Sequence, residues 1–177
     1  MSQLTDTLKT KDYARLLTEG NVLALDPSIG SEASQLGYAT YSKMQLQDAG
    51  VINMPSGMNT EERLQQIGEC LRNEFEDVDI MVIEDIPPSF NPKSGKPTRW
   101  ITANWKKLHE AAGACIASAK AGRVIRVHPA TWKKYAKGYT KSDVADAVLI
   151  DYAAIAEACK LLKLEEPTKY YIEEADK

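Results

Sequence analysis

Four acidic residues stand where carboxylates have no hydrophobic reason to be. Asp26 closes the apolar run of VLALDPS, Glu84 closes that of DIMVIEDIPP, and Asp143 and Asp146 lie three residues apart in SDVADAVLIDYAA. The two apolar runs have the length and composition of buried strands, and the Ala-rich stretch reads as a helix. A carboxylate ending a buried strand is costly unless it is paired, hydrogen-bonded or bound to a cation, and several together repel one another. Divalent metal resolves both problems. Mg²⁺ and Mn²⁺ take oxygen ligands and leave positions open, and two such ions flanking a phosphate catalyse its transfer to water. The helical pair suits this use, because residues three apart share a face and a helix N-terminus favours negative charge.

Each acid also has a plainer reading when taken singly. Asp-Pro-Ser commonly starts a turn, and Asp143 fits the first turn of any helix. Asp85 would face away from Glu84 on a continuing strand. Asp151, about two turns beyond Asp143, reads as a structural hydrogen-bonding residue, as does His128 before its proline. His109, among Lys106, Lys107 and Glu110, reads as solvent-exposed. The conjunction of four acids decides for the metal site.

The elements needed to gather these acids can be traced along the chain. Residues 1–20 carry Leu4, Leu8, Tyr13, Leu16 and Leu17 at loosely helical spacing and predict a short helix or arm. Val22 to Leu25, Leu36 to Tyr41 and Gln47 to Asn53 predict a three-strand meander, with a polar loop from Ser28 to Gln35. Asn59 and Glu62 form a capping-box signal ahead of a helix whose buried stripe is Leu64, Ile67, Leu71 and Phe75. Asp79 to Glu84 has the continuous apolar character of a strand covered on both faces. The Pro-rich segment Ile86 to Thr98 predicts a loop over the site. A helix from Trp100 to Ala121, a strand from Val124 to Val127 and a final helix capped by Ser142 complete the order.

Bulk properties bound the reading. A chain of 177 residues, 44% hydrophobic, accommodates one domain with a real core. Cys70, Cys115 and Cys159 are widely spaced, with no CxxC pair and no Cys/His cluster, so neither a disulfide framework nor a zinc site is expected. No signal-peptide pattern and no run of roughly 18 apolar residues occurs, which predicts a cytoplasmic protein without a membrane span. The net charge of −3 argues against nucleic acid only until its distribution is read. Between Lys93 and Lys141 lie 12 of the 22 basic residues against the single acid Glu110. Trp100, Trp105, Trp132, Tyr135 and Tyr139 are interleaved, a composition suited to phosphate and base contacts. Lys106, Lys107, Lys133 and Lys134 are the candidate DNA contacts, and a solvated basic face is the alternative.

A meander, helix, strand, helix, strand, helix order is that of the ribonuclease H fold, and here specific residues carry a resemblance. LALDPS with GYA, VIEDIPP, VHPATWKK and DVADA resemble the RuvC family of Holliday junction resolvases, of bacteriophage type. The resemblance runs from residue 22 to about 160. It implies an α/β, ribonuclease H-like fold with a mixed five-stranded sheet flanked by helices. It divides the chain into an N-terminal helix or arm (1–20), a RuvC-like nuclease domain (21–164) and an acidic tail (165–177). By the same resemblance Asp26, Glu84, Asp143 and Asp146 are catalytic metal ligands for two Mg²⁺ or Mn²⁺ ions. Lys133 and Lys134 lie near the scissile phosphate, and the substrate is branched DNA, nicked in pairs by a homodimer. The chain departs from the family in a longer loop between Asp26 and Gly37 and in Ser28, where the family usually has Gly. Other ribonuclease H-like nucleases acting on flaps, forks or RNA–DNA hybrids, and a non-catalytic nucleic-acid-binding module, are the alternatives. A nucleotide-binding relative would need a Gly-rich phosphate loop, which the sequence after Asp26 lacks.

Overall fold

The computed structural model describes residues 3–8, 12–27, 35–86, 99–138 and 142–170. The expected loop over the site (87–98), most of the loop after Asp26 (28–34), Tyr139, Lys141 and the end of the acidic tail lie outside the described residues.

The elements follow the expected order with two additions, a second N-terminal helix and a short helix after the last strand. The elements are α1 (Gln3–Leu8), α2 (Tyr13–Glu19), β1 (Asn21–Pro27), β2 (Gln35–Ser42), β3 (Gln45–Asn53), α3 (Thr60–Glu74), β4 (Ile80–Glu84), α4 (Arg99–Ser118), β5 (Arg123–Val127), α5 (Pro129–Lys133) and α6 (Asp143–Leu162). The sheet runs β3-β2-β1-β4-β5, antiparallel through the meander and parallel from β1 to β4 to β5. The expected mixed five-stranded sheet flanked by helices is therefore present.

Strand alternation sorts the side chains into two layers. Val22 and Ala24 of β1, with Ile80 and Val82 of β4, join the core beneath α6, α1 and α2. Leu23, Leu25, Met81 and Ile83 join the opposite core beneath α3 and α4, with Ile67, Leu71, Ala112 and Cys115. Successive residues of a strand face opposite sides, so Asp26 and Glu84 continue the parity of the α6 layer.

Helix α6 is buried nearly all round, from Ala147 through Ala156 without interruption. Its alanines let the sheet approach one side while α1 and α2 cover another, and each large residue such as Ile150 contributes roughly 2 kcal/mol by burial. Within the segment 1–20, expected as a helix or arm, Gln3–Leu8 and Tyr13–Glu19 form two short helices whose Leu4, Leu8, Ala14 and Leu17 are buried in this layer. Local capping follows the expectation. Asn59 Oδ1 accepts from the Glu62 amide at 2.9 Å while Glu62 Oε2 accepts from the Asn59 amide at 2.9 Å, and Ser142 Oγ accepts from the Ala145 amide at 3.1 Å. The β2–β3 turn passes through Lys43 and Met44, both at positive φ (50° and 66°), the backbone of a two-residue hairpin turn of type I′.

Candidate active site

Asp26 sits at the C-terminal end of β1, 8% exposed, paired in register with Gly37 of β2. Gly37 is where α6 reaches the sheet. A Cβ built there would lie 2.1 Å from the Asp143 carbonyl oxygen and 2.6 Å from its carbonyl carbon. Only a residue without a side chain admits this approach, and the approach brings the first turn of α6, with Asp143 and Asp146, over Asp26.

The electrostatics register the gathering. Burial, followed by the charges of Glu84, Asp146 and Asp143, pushes the Asp26 carboxyl from 3.8 up to about 8, and Lys133 opposes that rise. Glu84 ends β4 partly buried. Desolvation raises its pKa, a hydrogen bond from Trp132 and the charge of Lys133 work against this, and Asp146 and Asp85 add to it. The other three acids expected from the sequence thus all act on Asp26, and Asp146 acts on Glu84 as well, at one end of the α6 layer.

Helix α5 supplies the other half of the site. His128 Nδ1 accepts from the Ala130 amide at 3.1 Å and Pro129 occupies the first helical position, so a single turn forms directly after β5. This turn was not expected from the sequence. It buries Trp132, whose indole Nε1 donates to Glu84 Oε1 at 3.1 Å, and directs Lys133 so that its charge acts on both Asp26 and Glu84. The next residue turns away, Lys134 Nζ lying 2.5 Å from Glu157 Oε1 and over the Tyr135 ring. Of the two adjacent lysines, Lys133 faces the acids and Lys134 packs on α6. Lys106 and Lys107 are exposed on α4, Lys106 paired with Glu110 at 3.6 Å.

Two side chains differ from expectation. His109 is half-buried rather than fully exposed: its Nε2 lies 3.1 Å from the Ile86 carbonyl, its ring centroid 4.2 Å from that of Trp105, and Trp105 Nε1 donates to the same carbonyl at 3.1 Å. The pair fixes the backbone just after Glu84 and Asp85 onto α4, and only the folded arrangement of α4 against β4 reveals it. Asp151 was expected to hydrogen-bond. It is fully buried, and neither carboxylate oxygen has a hydrogen-bond partner among the described residues; burial pushes its pKa well above 3.8.

The donor set fits hard divalent cations. Four carboxylates offer only oxygen, Asp26 is desolvated among like charges, and Lys133 supplies one opposing charge, a donor set of the chemical type that hard divalent cations take. Among the described residues no three His, Cys, Asp or Glu side chains close into a ligand cage of their own.

The strand order and directions define the class: a ribonuclease H-like fold. Within it, the chain is similar to T. thermophilus RuvC in complex with a Holliday junction substrate, at 17% identity over 85% of this chain and 100% of that one, with a TM-score of 0.58. It is also similar to the yeast mitochondrial Holliday junction resolvase, at 13% identity over 90% of this chain and 87% of that one, with a TM-score of 0.53. No protein-family model matches the chain, and no curated protein matches it in sequence. The likeness is one of fold, which agrees with the expectation. No helix among the described residues is long and apolar enough to cross a membrane.

Proposed function

We propose that this protein is a metal-dependent endodeoxyribonuclease of RuvC type that resolves four-way DNA junctions by paired nicking as a homodimer, from a bacteriophage or its bacterial host. The observation that carries the reading is the meeting of Asp26, Glu84, Asp143 and Asp146, contributed by two strands and one helix, at one end of one layer of the sheet. The fold likeness to two junction resolvases supports the choice of substrate.

In this reading Asp26, Glu84, Asp143 and Asp146 hold two Mg²⁺ or Mn²⁺ ions, which when bound supply an activated water and stabilise the leaving oxygen of the phosphodiester. The chain's own residues do the rest. Lys133 balances the phosphate charge at the site, Trp132 orients the Glu84 carboxylate, and the buried Asp26 holds its place because β1 is packed on both faces. Lys106 and Lys107, exposed on α4, are further candidate phosphate contacts.

The test is a cleavage panel of four-way junctions, flaps, forks, RNA–DNA hybrids and plain duplex, with Mg²⁺, Mn²⁺ or EDTA. Symmetric nicks on junctions that require the ion support the assignment. Asp26→Asn should abolish them while leaving junction binding intact, and turnover retained in that variant removes Asp26 from the ligand set.

A further inference from the structure

We propose that Glu157, far along α6 from the acids, is a positioning residue that latches α5 so that Trp132 and Lys133 address the carboxylate cluster; this rests on reading that cluster as the catalytic centre. Eleven residues separate Glu157 from Asp146, about 16 Å of helix, so Glu157 lies outside the cluster. Its Oε1 nevertheless gathers the chain immediately after α5. Lys134 Nζ lies at 2.5 Å, the Tyr135 hydroxyl donates at 3.0 Å, and Lys160 Nζ lies at 3.3 Å. The two lysines also sit over the Tyr135 ring, at 4.9 and 5.5 Å from its centroid. Burial pushes the Glu157 carboxyl up, but the bonds from Lys134 and Tyr135 and the charges of Lys134 and Lys160 outweigh it and hold the pKa below 4.5.

The geometry anchors the C-terminal end of α5 twice over, on two different elements. The Trp132 indole is bonded to Glu84 on the side of the acids, and two residues later the chain is tied to Glu157 on α6. Five residues of helix cannot hold an orientation unaided, since a single turn is below the length at which helices stabilise themselves. The two anchors supply it. Because α6 carries both Glu157 and the pair Asp143 and Asp146, it sets the position of Lys133 relative to the acids it shares the site with.

The experiment compares Glu157→Ala, which removes the latch, with Glu157→Gln, whose amide oxygen still accepts from Lys134 and Tyr135. Single-turnover cleavage of a four-way junction at saturating protein and Mg²⁺ is measured beside junction Kd. The indole N–H resonance of Trp132, assigned with Trp132→Phe, is followed by NMR without metal. Glu157→Ala should lower the cleavage rate on the order of 10- to 100-fold, as expected for misplaced groups, leave junction Kd within twofold and move the Trp132 resonance. Glu157→Gln should restore most of both. An unmoved resonance, or equal loss of rate in both variants, overturns the latch. If the wild-type protein cleaves nothing in the panel, the nuclease reading fails, and the Trp132 resonance alone decides whether Glu157 sets α5.

Discussion

Replacing Gly37 by alanine perturbs the site by one methyl group at a calculable place. The new Cβ would stand 2.1 Å from the Asp143 carbonyl oxygen and 3.2 Å from its Cβ. The obstacle is backbone, so no side-chain rotation relieves it, and the α6 N-terminus must retreat by about 1 Å to restore van der Waals separation. Two consequences have different magnitudes. Overpacking of this kind costs about 1–3 kcal/mol of stability, or roughly 2–10 °C in Tm for a chain this size. A displacement of about 1 Å of Asp143 and Asp146 relative to Asp26 costs cleavage about 100-fold. The assay pairs thermal unfolding with single-turnover junction cleavage, and Gly50→Ala serves as a control. There the three atoms nearest the added Cβ all belong to the Tyr38 side chain, 2.9–3.0 Å away, on the edge hairpin. Gly50→Ala should lower Tm without lowering the cleavage rate at saturation. A Gly37→Ala protein that cleaves at the wild-type rate would refute the claim that this contact sets the acids.

Asp26 has a carboxyl raised to about 8, so in EDTA its contribution to stability is complete below pH 4 and is lost as pH rises through 8. Asp26→Asn should therefore be more stable than wild type at pH 8, by about 2–4 kcal/mol after discounting for local relaxation, with the advantage vanishing near pH 4; a constant difference across that range would contradict it. Lys133→Met should reduce the salt dependence of junction binding by about one phosphate contact, whereas Lys134→Met should leave the slope unchanged, and equal slopes would mean that neither lysine is placed as described. Asp151→Leu removes a buried acid that has no hydrogen-bond partner among the described residues and should raise Tm more at pH 8 than at pH 5, since burial raises the Asp151 pKa. A fall in Tm at both pH values would show that the carboxyl is satisfied in solution.

Much of this arrangement was legible because its causes are local or periodic. The Asn59–Glu62 box and the Ser142 cap depend on residues three apart, and the helices began where those signals stood. The parity that places Asp26 and Glu84 in one layer follows from alternation within β1 and β4 once both are strands. What escaped depends on partners distant in sequence. The α5 turn has too few residues for periodicity and is held by Glu84 and Glu157. The β2–β3 turn uses Lys43 and Met44 where Gly or Asn would have announced it. His109 looked exposed among its charged neighbours, yet the Ile86 carbonyl that engages it lies 23 residues away. Nothing in the dipeptide Lys133-Lys134 distinguishes the residue facing the acids from the one facing α6.

The strand alternation also decides where this protein can change length. Deleting one residue inside β1 ahead of Asp26 would hand every following side chain to the other layer, exchanging a hydrophobic residue for the aspartate, so neither packing nor chemistry would survive separately. The outer hairpin is more tolerant: the β2–β3 pairing already skips a residue beside Thr40 and Tyr41, where the irregularity falls away from the four site acids. Insertions and deletions among relatives should accordingly accumulate at that rim, leaving the inner strands of fixed length.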